Sequence, residues 1–258
     1  MTWNRNTSNK ERREKFLLEM MKDAMKPYEM SKTYEEETIG EFENDSEKDF
    51  FRLFFSLIKE PKLILDLACG DGRHTAKLSD GTRLVVGVDL SNNNIVKAST
   101  KLSGRENVEF IRSSMFDLPF PHECFNGVWF SQAFEYIPPD FRQTFMAQLW
   151  SLLKPGGIIY MSVETWQYPS LWTTIRELLG DISLFFYWKA IKGKPLMWGE
   201  FLYRLPPTVE YKGWHYHVHT SKKTVNTLSK RIGFKAIKLD LHNGYIYMIC
   251  KKPELRDT

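Results

Sequence analysis

The stretch 61–73, PKLILDLACGDGR, constrains the fold more than any other part of the chain. Leu63, Ile64, Leu65 and Leu67 make a nearly unbroken apolar run, the mark of a strand covered on both faces inside a parallel sheet. The run includes Asp66 and then loses its bulk at Ala68, Gly70 and Gly72. Small residues at alternate positions make a tight turn and let another molecule approach the backbone. From Arg73 to Leu78 the pattern becomes helical, so the turn feeds a helix N-terminus, where free N–H groups favour negative charge.

Strand, turn and helix in this order hold a nucleotide-like cofactor, and the residues narrow its type. A dinucleotide fingerprint needs glycine where Thr75 stands, and a phosphate-cradling loop needs a Gly-Lys-Ser/Thr that is absent. Asp66 repels a pyrophosphate but accepts hydrogen bonds from a cation. The segment resembles the first motif of the class I (Rossmann-like) S-adenosylmethionine-dependent methyltransferases, (D/E)-x-G-x-G-x-G, with Ala68 in place of the first glycine. The resemblance implies S-adenosyl-L-methionine as cofactor, a nucleoside with an ammonium and a sulfonium but no phosphate. A tight turn without a ligand is the alternative reading.

Later segments extend the resemblance. Leu84–Val88 reads as a second buried strand, ending in Asp89, 19 residues beyond Gly70. At the carboxyl end of a neighbouring strand this carboxylate can accept both ribose hydroxyls; alternatively it caps the helix predicted over 92–101. Asp89, Leu90 and Ser91 match the family's second motif, which implies that Leu90 lies against the adenine. After a third strand at 108–111, SSMFDLPF (113–120) resembles the family's adenine loop. Its Leu118-Pro119-Phe120 places Ser114 where an aspartate usually meets the adenine amino group, and Met115 where backbone N–H groups contact the ring. Serine there accepts without a charge. The fourth strand, 125–130, runs into SQAFEYIP, and the resemblance sets a carbonyl near Ser131 against the cofactor's ammonium. Tyr136 stands where many relatives have histidine, so no family base carries over. A helix over 138–152 and the phrase LLKPGGIIYMSVE follow, the latter a helix stop, a turn and a fifth strand. A helix from Thr220, its cap, to Arg231 and a hairpin of 234–241 with 245–251 close the chain. The resemblance covers 61–164 by motif and 220–252 by topology. It implies an α/β fold with a seven-stranded, mostly parallel sheet, order 3-2-1-4-5-7-6 and last strand antiparallel, sandwiched by helices.

The chain accordingly divides into an N-terminal helical cap (1–60), a cofactor-binding core (61–164), an aromatic-rich lid or insertion (165–219) and a final helix with closing hairpin (220–258). Apolar spacing predicts helices over 10–26 and 46–58 after a frayed start at 1–9. Within the insertion it predicts helices over 170–179 and 182–191. In relatives this insertion covers the substrate, which makes Trp166, Trp198 and Tyr203, with Tyr34 of the cap, the candidate substrate contacts. A second packing layer or a homodimer interface accounts for the same aromatics. Lys189, Lys192 and Lys194 beside them also permit shallow membrane contact. His215, His217 and His219 alternate on one strand face; with no acid or cysteine nearby in sequence to complete a site, no metal is expected. His217, His215 and Glu135 are the candidate catalytic groups.

The net charge of +4 is uneven, with nine Lys/Arg against three Asp/Glu over 216–258 and eight acids against Lys48 over 33–49. Two solvated faces explain this better than a nucleic-acid footprint does, because the basic residues are scattered among apolar ones. Cys69, Cys124 and Cys250 sit in or beside apolar runs and read as buried thiols. No stretch resembles a signal peptide or the about 18 apolar residues of a membrane helix, so the expected location is cytoplasmic. The expected activity is methyl transfer from S-adenosylmethionine to a small, partly apolar or aromatic metabolite. The YHVH stretch at 216–219 and the short hairpin end resemble the wobble-uridine tRNA methyltransferases, making nucleic acid the alternative partner. A lipid acceptor is the third reading, and from a different class comes a non-catalytic cofactor-binding interaction protein on the same fold.

Overall fold

The computed structural model describes residues 3–23, 26–27, 45–204, 213–242 and 244–254. In chain order its strands are β1 (Leu63–Leu67), β2 (Leu84–Asp89), β3 (Val108–Arg112), β4 (Phe125–Phe130), β5 (Leu153–Glu164), β6 (Glu200–Arg204), β7 (Trp214–Val218), β8 (Lys235–His242) and β9 (Tyr245–Lys251). The helices are α1 (Trp3–Asp23), α2 (Asp45–Leu57), α3 (Arg73–Leu78), α4 (Asn92–Lys101), α5 (Pro139–Leu152), α6 (Leu171–Phe186) and α7 (Lys222–Ile232).

Seven strands pair in the order β3-β2-β1-β4-β5-β9-β8, while β6 and β7 form a separate antiparallel ribbon. With the ribbon set aside, this is the order expected from the sequence. The first five strands run parallel, and β9 is antiparallel to both its neighbours. Side chains alternate between two buried faces, as a central parallel sheet requires. Leu65, Val128, Phe130, Ile159 and Met161 pack under α5 and α7, through Phe145, Leu149 and Val225. Ile64, Trp129, Ile158 and Tyr160 face Phe50, Phe54 and Ile58 of α2 and the residue beyond it. Gly127 makes that close approach possible, since a Cβ there would sit 2.6 Å from Ile58 Cδ1 and 2.8 Å from Phe54 Cζ.

Helix α1 packs elsewhere. Phe16, Leu17 and Met20 of α1 join Phe185, Trp188, Phe201, Leu202 and Tyr216 in a small third core, so α1 and the insertion bury each other. Arg13 anchors this layer by pairing with Asp140 at the start of α5 and with the fully buried Glu200, 2.7 Å away. Burial opposes its charge, but the hydrogen bonds to Glu200 and Asp140 hold the guanidinium pKa above its ordinary value.

Three local expectations change. Helix α1 begins at Trp3, where a frayed start was expected; residues 3–9 contain no proline or glycine to stop a helix. The insertion's two predicted helices are one, α6, which runs through Gly180 and continues into a π-type turn over Tyr187–Ile191. One glycine lowers helix propensity without stopping a helix, and just beyond it Asp181 bonds His219 and Phe185 is held in the third core. The final helix is capped by Ser221, whose hydroxyl accepts the Thr224 N–H at 3.1 Å; Thr220 instead donates its N–H to the Glu164 carbonyl.

Candidate functional site

The sheet reverses its direction of build between β1 and β4, and ligands in such sheets bind at the carboxyl ends beside that reversal. There the turn 68–72 leaves β1 with left-handed backbone at Ala68 (φ 56), Gly70 (φ 55) and Gly72 (φ 81). Gly72 presses onto α4, where a Cβ would meet that of Ala98 at 3.1 Å. Asp66 lies buried beneath the turn and accepts a hydrogen bond from Thr75 Oγ1 at 2.5 Å. Burial pushes its carboxyl up to about 6, against the pull of His74 and Thr75.

Asp89 joins the neighbouring strand end to the turn, accepting the Gly70 N–H at 3.0 Å and the Ser91 N–H at 2.8 Å. Ser91 caps α4 by accepting the Asn94 N–H, so the capping role considered for Asp89 falls to Ser91. Leu90 is left 40% exposed beside Asp89, and its carbonyl accepts from Arg112. Ser114 accepts the Phe116 N–H at 3.2 Å, and Met115 is partly buried against the core. A turn open to close approach, a partly exposed leucine and two strand-end carboxylates fit a phosphate-free nucleoside, which was the expected cofactor.

A buried polar knot, which the sequence reading missed, closes this crevice on the α2 side. Glu47 Oε1 sits 3.2 Å from His74 Nε2 and accepts from Ser131 Oγ at 3.1 Å and Tyr160 OH at 3.3 Å. Burial alone raises the Glu47 pKa, but His74 and Arg73 more than offset it and the pKa falls. Ser131 also contacts Ser162 Oγ at 3.0 Å. Glu47 shares the stripe of Phe50, Phe54 and Ile58 at helical spacing, and an acid on an apolar stripe was the available signal.

Across the carboxyl ends of β4 and β5 lies a second cluster. His217 Nδ1 is 2.6 Å from Glu164 Oε2, which ends β5, and Nε2 is 3.0 Å from Tyr203 OH. Tyr136 stands edge-on to His217 with ring centres 4.7 Å apart, and His215 is 5.0 Å away. His219 bonds Asp181 of α6 at 2.9 Å and lies 3.6 Å from Glu164. The histidines therefore do have acidic neighbours, supplied by β5 and α6 from distant parts of the chain. Burial raises the Glu164 pKa, but His217 and His219 overcome it and leave the group ionised. Burial, reinforced by His217, lowers His215 to about 3, a neutral ring at ordinary pH. Glu135 is buried and, through burial and then the Glu164 charge, held well above the usual carboxylate range. Its Oε2 and His215 Nδ1 have no hydrogen-bond partner among the described residues.

Tyr203 thus meets the candidate base, whereas Trp198 edges against Phe185 and is half exposed. Trp166 is partly buried in the segment after β5, and Tyr34 lies outside the described residues.

Comparison with known proteins adds independent findings. A family model described as a methyltransferase domain matches residues 64–157. A demethylmenaquinone methyltransferase of Lactococcus lactis is 30% identical over 188 residues, covering 70% of this chain and 69% of that protein. A solved S-adenosylmethionine-dependent methyltransferase of Methanosarcina mazei superposes with a TM-score of 0.63 at 21% identity, covering 78% of this chain and 97% of that one. The 1,6-didemethyltoxoflavin N1-methyltransferase of Burkholderia thailandensis, solved with 1,6-didemethyltoxoflavin and S-adenosylhomocysteine, gives 0.58 at 16% identity over 86% and 84%.

Proposed function

We propose that this chain, which belongs to the class I S-adenosylmethionine-dependent methyltransferases, methylates a small, partly apolar or aromatic metabolite, with His217 as the base wherever the acceptor must lose a proton. It is an enzyme of that class, with S-adenosyl-L-methionine as cofactor. The bound cofactor supplies a methyl group on a positively charged sulfur, open to in-line attack. The chain's own residues then contribute grip, orientation and exclusion of water. Asp89 is assigned to the ribose hydroxyls and Leu90 to the adenine face. Ser114 and Met115 are assigned to the adenine edge, the Gly70–Gly72 turn to the methionine-side backbone, and Ser131 to the ammonium end.

The observation that carries the acceptor reading is the 2.6 Å pairing of His217 with Glu164 among the rings of Tyr136, Tyr203 and His215. The carboxylate 2.6 Å away favours the His217 tautomer with its proton on Nδ1, and in that neutral ring Nε2 is the acceptor, facing the Tyr203 hydroxyl. An acceptor hydroxyl taking that place would give its proton to Nε2. The surrounding rings favour a flat, apolar molecule, and the Lactococcus relative is named for demethylmenaquinone.

Methyl-labelled cofactor incubated with fractionated cell extract tests the reading. Label is expected in small molecules that partition into organic solvent; label in RNA would replace this reading with the tRNA one. His217→Gln should slow transfer about 100-fold while cofactor affinity stays unchanged. An unaltered rate would remove His217 from the chemistry.

A further inference from the structure

We propose that the outer face of α6, with the turn after it, docks on the surface of an anionic lipid bilayer. Leu171, Trp172, Ile175, Leu179 and Phe186 are all exposed, Trp172 at 76% and Leu179 at 60%. At about 100° per residue they fall within one arc of roughly 100°, a continuous apolar stripe four turns long. The helix does not need this stripe for its own packing. Its other side is engaged, with Phe185 in the third core and Asp181 bonded to His219. Beyond the helix end Ile191, 72% exposed, Met197 and Trp198 add further exposed apolar side chains.

Charge and ring chemistry decide the occupant. Between Leu171 and Lys194 the chain carries Arg176, Lys189, Lys192 and Lys194 against Glu177 and Asp181, and Asp181 is buried. Glu177 is paired with Arg176 at 2.6 Å, so the rim of the stripe is net positive through its lysines. Lys192 lies over the exposed Tyr187 ring, which keeps its ammonium beside the apolar face, while Lys189 lies over Phe185 and donates to the Leu196 carbonyl, and Lys194 lies over Phe16. Apolar side chains with flanking lysines, and Trp172, Tyr187 and Trp198 at the ends, match the layered chemistry of a lipid interface. The element lies on a membrane and does not span one: among the described residues no helix is long and apolar enough to cross. The surface belongs to the layer that also supplies Tyr203 and His217, so docking would set the acceptor side close to dissolved apolar molecules. The inference goes beyond the acceptor reading and does not depend on it.

Co-sedimentation of the full chain with vesicles tests it. Binding is expected to vesicles with about 30% phosphatidylglycerol, to weaken in high salt, and to be far weaker with phosphatidylcholine alone. The double variant Leu179→Glu/Phe186→Glu should lose at least about tenfold in vesicle affinity while retaining its far-ultraviolet spectrum and S-adenosylhomocysteine affinity. Wild-type protein remaining in the supernatant with every vesicle overturns the proposal. So does a concentration-dependent dimer, seen by light scattering and abolished by the same substitutions, because the stripe would then be occupied by a second copy. Transfer of label to soluble extract components is a separate readout, so this proposal and the acceptor reading fail independently.

Discussion

Ala68 shows how single residues set this crevice. It holds a left-handed backbone where the family motif has glycine, and a β-carbon in that conformation costs about 1 kcal/mol. Ala68→Gly should therefore raise stability by roughly 0.5–1 kcal/mol, read as a higher melting temperature with unchanged cofactor affinity. A lower melting temperature would mean that the methyl group makes contacts worth more than the backbone relief. The places of Asp66, Gly70, Gly72 and Asp89 at strand ends and in the turn were legible in the sequence because they are set by neighbours within a short stretch. Glu47 and Glu164 were not, because each acquires its role from partners far along the chain. Glu47 meets Ser131 across 84 residues and Tyr160 across 113, and Glu164 meets His217 across 53. Glu164 still carried a signal of the kind seen at Asp89, an acid at the last residue of a strand.

At the scale of elements, the core strands followed from buried apolar runs, and the insertion did not. Its two predicted helices merge into α6, and β6, five residues with Phe201, Leu202 and Tyr203 in one run, shows no clean alternation and is defined by its pairing with β7. What ties α6 to the sheet is an ionic chain, Asp181 to His219 to Glu164. Burial lowers the His219 pKa, but Asp181 and Glu164 outweigh it and raise the group from 6.5 to about 10. A raised histidine stabilises the folded state fully below its unfolded pKa, and the effect fades as pH rises through the folded value. The wild type should therefore melt above His219→Gln at pH 6, and the gap should close as pH approaches about 10. A gap that stays constant across this range would show that His219 acts by packing alone.

For the whole molecule, the decisive feature is topology, which brings the ends of β1, β2, β4 and β5 to one edge, where Glu47 of α2 meets Ser131 and His217 of β7 meets Glu164. On this edge the Gly70–Asp89 side, at the ends of β1 and β2, and the His217–Glu164 side, at the end of β5, stand on either side of β4, one assigned to the cofactor and the other to the acceptor. The most direct test is calorimetric titration with S-adenosylhomocysteine of the wild type and Asp89→Ala. One-to-one binding is predicted, weakened about 10- to 100-fold in the variant as one charged hydrogen-bonding partner of the ribose is lost. Absence of heat from the wild type, or equal affinity in the two proteins, would contradict the assignment of this crevice.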